Sequence, residues 1–126
     1  MTSTPRLSLS GVVFDAPDPR ELAHFYQRLL GGRIEQDEPG WVKLRYSESA
    51  PGLSFQHEEN YVRPSWPAGP GEQQMSVHLD IAVDDLDGAG EHALACGARL
   101  AEFQPQPGVR VYLDPAGHPF CLFATA

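Results

Sequence analysis

The sequence has no long apolar run, few basic residues and only two cysteines among its 126 residues. A helix that crosses a membrane needs roughly 20 consecutive apolar residues, and no stretch here approaches that length. Lys and Arg together number 9 against 17 Asp and Glu, which gives a formal net charge of −8 without any basic cluster. This balance argues against a nucleic acid partner. Cys96 and Cys121 lie among apolar residues and predict two reduced thiols rather than a disulfide.

The rest of the composition predicts one globular domain over residues 1–126. Hydrophobic residues make up 41% of the chain, which is enough for a packed core. The residues after Met1 contain no apolar signal-peptide core, so we expect a cytoplasmic protein. Twelve prolines and twelve glycines indicate many turns and at least one extended linker.

The first half of the chain, about 7–57, predicts one helix and four strands. Residues 7–14 alternate as a strand does. Asp18, followed by a proline at the first helical position, then caps a helix that ends at Gly31. Turns rich in Pro, Gly and Ser separate three further strands, which we predict at 33–36, 41–46 and 53–57.

The second half, about 75–124, repeats this order after a proline-rich linker at about 58–74. Its first strand alternates apolar residues with polar ones, so that one face carries His78 and Asp80. Asp85 is the candidate cap of a helix that Gly97 ends. The last three strands are predicted at 99–103, 109–113 and 119–124.

The two halves form an internal repeat of strand, helix and three strands. The helix caps Asp18 and Asp85 are 67 residues apart. We align the last strands of the two halves so that Gln56 corresponds to Cys121. A repeat of this kind determines the topology but does not by itself imply an activity.

Three features of the sequence occur together: two βαβββ halves with a linker, His78 followed by Asp85-Leu86, and the ending Asp114-Pro115-Ala116-Gly117-His118-Pro119-Phe120. With them the chain resembles the vicinal oxygen chelate superfamily, and within it the glyoxalase-like subgroup. That superfamily includes glyoxalase I, extradiol dioxygenases, fosfomycin-resistance enzymes and bleomycin-resistance proteins. The resemblance covers nearly the whole chain. It implies an α+β fold of two tandem βαβββ modules that form a cup-shaped mixed β-sheet with helices on the outside, and a homodimer.

Metal-dependent members of this superfamily take ligands from the first and last strands of each half. The resemblance places Gly11, Gln56, His78 and Cys121 at these four positions. Gly11 has no side chain and Gln56 offers only a neutral amide oxygen, whereas a catalytic zinc or iron site takes about three good protein ligands. We therefore predict no metal cofactor. If a divalent metal ion does bind, we expect His78, Gln56 and Cys121 to hold it.

Strand alternation also predicts which side chains face the cup. We place the apolar residues of each strand against the helices, including the two valines of strand 109–113, so that the residues between them line a pocket. Trp66 on the linker either covers the mouth of this pocket or seals a dimer surface. The predicted ligand-binding residues are Trp41, Arg45, Gln56, Trp66, His78, Asp80, Arg110, Tyr112 and Cys121.

Three functions fit these predictions. The first is a binding protein, similar to the bleomycin-resistance branch, that holds a small, partly aromatic molecule without a metal. The second is an enzyme of the lyase, isomerase or dioxygenase type, which uses either an unusual metal set or His78 as a general base with Asp80 nearby. The third is an accessory domain without a ligand. We expect a small-molecule partner, no nucleic acid and no membrane.

Overall fold

The structure, a computed structural model, describes residues 5–125, and this part of the chain folds into two helices and eight strands. In chain order they are β1 (Gly11–Ala16), α1 (Pro19–Leu30), β2 (Arg33–Glu38), β3 (Trp41–Arg45), β4 (Gly52–His57), β5 (Leu79–Val83), α2 (Leu86–Cys96), β6 (Arg99–Leu100), β7 (Val109–Leu113) and β8 (Pro119–Ala124). Each half therefore contains a strand, a helix and three strands. Neither helix in the described residues has the length and apolar character needed to cross a membrane.

Local chemistry explains where the two helices begin and end. The side chains of Asp18 and Asp85 each accept a hydrogen bond from a backbone amide in the first turn, so both are the N-caps that the sequence predicts. Gly31 follows α1 with a φ of 83°, and Gly97 follows α2 with a φ of 118°. Glycine adopts such positive φ values without a steric cost, which is why both helices stop there.

Each half forms its own four-stranded sheet. The strand orders are β1-β4-β3-β2 and β5-β8-β7-β6. β1 is parallel to its neighbour β4, and β5 is parallel to its neighbour β8. All other neighbouring strands in the two sheets are antiparallel. These open mixed sheets, with helices packed against them, confirm the predicted α+β fold. β1 and β5 are edge strands of their sheets.

One hydrophobic core joins the two sheets. Phe14 and Phe55 of the first sheet and Phe120 of the second are all buried in it. α1 makes the connection, because the rings of Phe25 and Tyr26 pack on Phe120 with centroid distances of 6.0 and 6.2 Å. Each sheet therefore turns one face to the core and leaves its other face open.

A buried polar cluster ties α1 and the linker to the turn between β7 and β8. Asp114 in that turn accepts hydrogen bonds from the Tyr26 hydroxyl at 2.8 Å, from the His118 ring at 2.8 Å and from two backbone amides. Tyr61 of the linker lies 3.2 Å from the other ring nitrogen of His118, and its hydroxyl donates to the carbonyl of Ala116. Burial, and next the charge of Asp114, raises the pKa of Tyr61 to about 12. The linker is thereby attached to the second half.

Several strand boundaries differ from the sequence prediction, among them the end of β2, which lies at Glu38 and not at residue 36. β1 begins at Gly11, later than predicted, because its partner β4 begins opposite it at Gly52. β5 begins at Leu79, since Ser76 adopts a φ of 61° that interrupts the extended conformation before it. β6 contains only two residues, because no more than two pair with β7.

Candidate functional site

The open face of the second sheet carries three donor side chains close together. His78 directly precedes β5, Asp80 lies on β5, and Cys121 is the residue opposite Asp80 on β8. His78 Nε2 is 3.0 Å from Asp80 Oδ1. One ligating atom from each of the three residues lies within 4.8 Å of the others. The parallel pairing of β5 with β8 produces this donor cluster, because it places Asp80 and Cys121 side by side on the same face.

The donor cluster keeps a proton on its thiol. Burial raises the pKa of Cys121, and the negative charge and hydrogen bond of Asp80 raise it further. Because a cysteine acts as a nucleophile only as the thiolate, this environment weakens that role. The side chains of His78 and Asp80 are 34% and 62% exposed, so a ligand can reach both of them.

A small apolar cavity of about 150 Å³ opens beside the donor cluster. Its walls are mostly apolar and include Trp66 of the linker and the two valines of β7. Trp66 is held in place by a 3.1 Å hydrogen bond from its Nε1 to the carbonyl of Phe103, whose ring it also contacts. His78 and Cys121 line the same cavity. An apolar wall therefore ends at a set of polar groups.

A larger cavity of about 390 Å³ lies along β1. Asp15 lines it, and its carboxylate accepts a 2.6 Å hydrogen bond from the side-chain amide of Gln56. Tyr61 and His118 line it from the buried polar cluster. Met75 lines both cavities, so the two are neighbours. Of these two cavities, only the larger lies within the usual size of small-molecule sites, roughly 300–1,000 Å³.

The strand registers correct the predicted correspondence between the two halves. β1 pairs Val13 with Ser54, and β5 pairs Asp80 with Cys121. An offset of 67 residues relates both members of the first pair to those of the second, as it relates the two helix caps. Ser54 is therefore the counterpart of Cys121, and the alignment with Gln56 is wrong by two residues. The last strands of the two halves share too few residue types to reveal their register.

The first half has no good ligand at the two positions where metal-dependent members of the superfamily bind their ion. Gly11 has no donor, and Ser54 has only a neutral hydroxyl. The backbone also leaves little room at Gly11, because a Cβ there would lie 3.1 Å from the carbonyl oxygen of Gly52 across the β1–β4 pair. A metal site in this chain thus depends on the second half.

The donor cluster does fit a metal ion by composition. Zinc accepts histidine, cysteine and carboxylate ligands, and three of them with one open position are the usual form of a catalytic zinc site. The third donor of the cluster is Asp80 and not Gln56, which the sequence analysis named as the third metal ligand. The side-chain amide of Gln56 donates a hydrogen bond to Asp15 instead. The alternating spacing of His78 and Asp80 was the available sign that both lie on one face of the strand.

The predicted orientation of Arg110 and Tyr112 into the pocket is wrong. Arg110 points to α2, where it donates a 2.6 Å hydrogen bond to Asp87. Tyr112 is buried and stacks on Phe120 with a centroid distance of 5.9 Å. Gly90 makes room for it, because a Cβ at that position would collide with the Tyr112 hydroxyl. The valines of β7 take the opposite face and line the small cavity, so their apolar character serves the pocket and not the core.

Trp41 and Arg45 lie on the open face of the first sheet, the same face as Gln56. Trp41 donates from Nε1 to Gln36 at 2.9 Å, and Arg45 donates to Glu35 at 3.1 Å. Among the described residues, neither belongs to the walls of the two cavities. Their contact with a ligand stays a prediction.

Two βαβββ modules with open sheet faces define a class of protein, the vicinal oxygen chelate superfamily. The chain belongs to the glyoxalase-like domain family, whose model matches residues 11–123. No curated protein matches the sequence significantly.

Solved structures with the same fold have quite different functions. A glyoxalase/bleomycin resistance protein/dioxygenase family enzyme from Burkholderia phytofirmans PsJN has a TM-score of 0.71 at 18% identity, over 95% of this chain and 100% of that chain. The trypanothione-dependent glyoxalase I of Leishmania major has a TM-score of 0.65 at 16% identity, over 94% and 87%. The antibiotic-binding protein TnmS3 from Streptomyces sp. CB03234 has a TM-score of 0.60 at 17% identity, over 98% and 100%. At these identities the likeness concerns the fold alone.

Proposed function

We propose that this protein binds a small, partly aromatic molecule on the open face of the second sheet without a bound metal ion. The observation that carries the proposal is the apolar cavity beside Trp66 that ends at the donor cluster. Mostly apolar walls with a few directional polar groups are typical of small-molecule sites. The antibiotic-binding protein from Streptomyces supports the proposal, because it has the same fold. The cytoplasmic location and the homodimer expected from the sequence belong to the same proposal.

In this proposal each polar group has a distinct role. Trp66 offers a large rigid surface to the aromatic part of the ligand. Asp80 is the exposed acceptor for a donor on the ligand, and it also orients His78 through their 3.0 Å hydrogen bond. Gln56 orients Asp15 in the wall of the larger cavity, where a second part of the ligand would lie.

The small number of donors at the superfamily positions of the first half supports the metal-free form of the proposal. Gly11 has no side-chain donor, and Ser54 offers only a neutral hydroxyl.

A metal-dependent enzyme of the lyase, isomerase or dioxygenase type is the second candidate function. The convergence of His78, Asp80 and Cys121 within 4.8 Å favours it. A divalent ion held there would act as a Lewis acid on an oxygen of the substrate. Without an ion, the same Asp80–His78 hydrogen bond would orient the imidazole as a general base.

Metal analysis and ligand screening together test these candidates. We expect protein purified without chelator to contain no stoichiometric zinc, iron or manganese. Stoichiometric metal that disappears in the His78→Ala variant would instead support the second candidate and contradict the metal-free proposal.

The ligand screen uses thermal shift measurements with a panel of aromatic antibiotics and aromatic carboxylic acids, with and without added Zn²⁺. We expect at least one compound to raise the melting temperature in the absence of metal. Trp66→Ala should abolish this shift, whereas Trp41→Ala, the matched control on the other sheet, should retain it. The reverse pattern would move the site to the first sheet and refute the proposal.

A further inference from the structure

The larger cavity runs along the free edge of β1. Residues 12–15 all line it, although the side chains of neighbouring strand residues point to opposite faces of the sheet. A cavity that four consecutive strand residues line lies beside the strand and not over one of its faces. Because β1 is an edge strand, no strand of the described sheet occupies this side.

The backbone of β1 presents hydrogen-bonding groups to this cavity. On the opposite side of the strand, the carbonyl oxygen of Ser10 accepts a 2.9 Å hydrogen bond from the first amide of β4, and that of Ala16 accepts a 3.0 Å bond from the amide of Glu58. Pairing is regular between these two points, so the even-numbered residues of β1 bond to β4. Val13 and Asp15 therefore turn their N–H and C=O groups to the free edge, where an extended segment can bind them.

The wall opposite β1 leaves this edge open. It includes residues 73–77, where Ser76 has a φ of 61° and the amide of Val77 donates a 2.6 Å hydrogen bond to the carbonyl of Met75. Such a tight turn cannot pair with β1 as a strand would. Residues other than glycine rarely adopt a positive φ, and backbone strain of this kind clusters at functional sites. The turn is thus a second sign that the cavity binds a ligand.

The side chains around the cavity are apolar along its length and acidic at one end. Val13, Val62 and Val77 line it and are 46%, 58% and 59% exposed, and apolar side chains exposed together in this way are typical of a binding surface. Asp15 and Glu58 line it at the carboxyl end of β1, whereas the described lining residues include no lysine or arginine. The cavity therefore favours a ligand that is apolar along its length and positively charged at one end.

We propose that the larger cavity binds a short extended peptide-like chain as a strand antiparallel to β1, with the N-terminal ammonium group of this chain beside Asp15 and Glu58. Residues 12–15 span roughly 10 Å, which suits about three peptide residues. In the antiparallel register the first peptide residue lies opposite Asp15 and the third opposite Val13. The inference names the chemistry of the second part of the proposed ligand, and it rests on the proposed function in assigning both parts to one molecule.

Isothermal titration calorimetry with short peptides tests this proposal. The probe is Val-Ala-Val amide, whose only charge is its N-terminal ammonium group, and we expect it to bind at millimolar concentration or below. Acetylation of the N-terminus should raise the dissociation constant at least about fivefold, because it removes that charge. Absence of binding at millimolar concentration, or equal binding of the acetylated peptide, overturns the proposal.

Methylation of single peptide nitrogens tests the register. The amide of the third peptide residue donates to the carbonyl of Val13, so its N-methylation should weaken binding at least about fivefold. The amide of the second residue points away from β1, and its N-methylation is the matched control, which should bind like the probe. Equal effects of the two methyl groups contradict strand addition. Hydrogen exchange followed by NMR should also show that the bound peptide protects the amides of Val13 and Asp15, and unchanged exchange of both amides overturns the proposal.

Two protein variants test the acidic end of the cavity. Asp15→Asn/Glu58→Gln keeps the shape of both side chains and should weaken the probe at least about fivefold. The control is Glu59→Gln, which removes a neighbouring charge that does not line the cavity and should leave binding unchanged. Equal affinities of these two variants contradict the proposed position of the ammonium group.

The peptide and the aromatic compounds are measured separately on the wild type, so the two proposals can fail independently. A thermal shift with an aromatic compound but no peptide binding contradicts this inference alone. Peptide binding without any shift by an aromatic compound contradicts the proposed function and the assignment of both parts to one molecule.

Discussion

Replacement of Tyr26 by Phe isolates the hydrogen bond that joins α1 to the turn between β7 and β8. The Tyr26 side chain is fully buried, and its hydroxyl donates to Asp114 Oδ2 at 2.8 Å. A phenylalanine keeps the aromatic ring and its contacts with Phe14 and Phe120. The variant therefore removes one donor from a buried carboxylate and leaves the packing unchanged.

The size of the expected effect follows from the surroundings of Asp114. A hydrogen bond to a charged group contributes roughly 1.5–3 kcal/mol, and loss of a donor to a buried group carries its full cost. Asp114 retains the His118 ring and two backbone amides, so the carboxylate is not left without partners. We expect the free energy of unfolding to fall by about 2 kcal/mol. For a domain of this size the melting temperature should fall by roughly 6–10 °C.

Urea unfolding followed by tryptophan fluorescence measures this change, provided that both proteins have the same m-value. Tyr46→Phe is the matched control, because the Tyr46 hydroxyl makes no hydrogen bond within the described part of the chain. The control should lose less than about 0.5 kcal/mol. Equal losses for the two variants would refute the reasoning, because the effect would then not depend on Asp114.

Three further predictions concern single groups. Asp80→Asn should speed the alkylation of Cys121 by iodoacetamide at constant pH, because it removes a charge that raises the thiol pKa; an unchanged rate would contradict the contact. Folding raises the pKa of Tyr61 from its ordinary value of 10.0 to about 12, so the protonated tyrosine stabilises the folded state. This contribution to the free energy of unfolding is complete below pH 10 and is lost as the pH rises to about 12. Urea midpoints of the wild type should fall over that interval more than those of Tyr61→Phe. Gly90→Ala should destabilise the fold by about 1–3 kcal/mol, because the new methyl group collides with Tyr112; a neutral variant would argue against the orientation of β7.

The parts of the fold that depend on neighbouring residues could be predicted from the sequence. An N-cap such as Asp85 binds a backbone amide within one turn of the helix. A glycine such as Gly97 ends a helix through its own positive φ, without help from remote residues. The repeat of these local signals was enough to predict two βαβββ modules. The start of β1 could not be predicted from local signals, because it depends on where β4 begins to pair with it.

The orientation of β7 could not be derived in the same way. Its alternation was recognised correctly, but both faces of the strand meet apolar surroundings, and periodicity alone does not say which face is the core. The partners that decide it are remote in sequence, since Arg110 bonds to Asp87 and Tyr112 stacks on Phe120. The contact of His78 with Asp80 was equally hidden. Such strand neighbours lie about 6.5–7 Å apart at the backbone, and only their side-chain rotamers bring them to 3.0 Å.

The close approach of β1 and β4 at Gly11 and Gly52 limits how this protein can change over evolutionary time. A mutation to histidine or glutamine at position 11 would supply the donor that metal-dependent relatives carry there, but its Cβ would press on the Gly52 carbonyl oxygen at 3.1 Å. The two strands would first have to separate slightly. A metal centre that spans both halves therefore needs a donor side chain at position 11 together with a separation of β1 from β4 by a few tenths of an ångström. The second half needs no such adjustment, because His78, Asp80 and Cys121 already lie close together there.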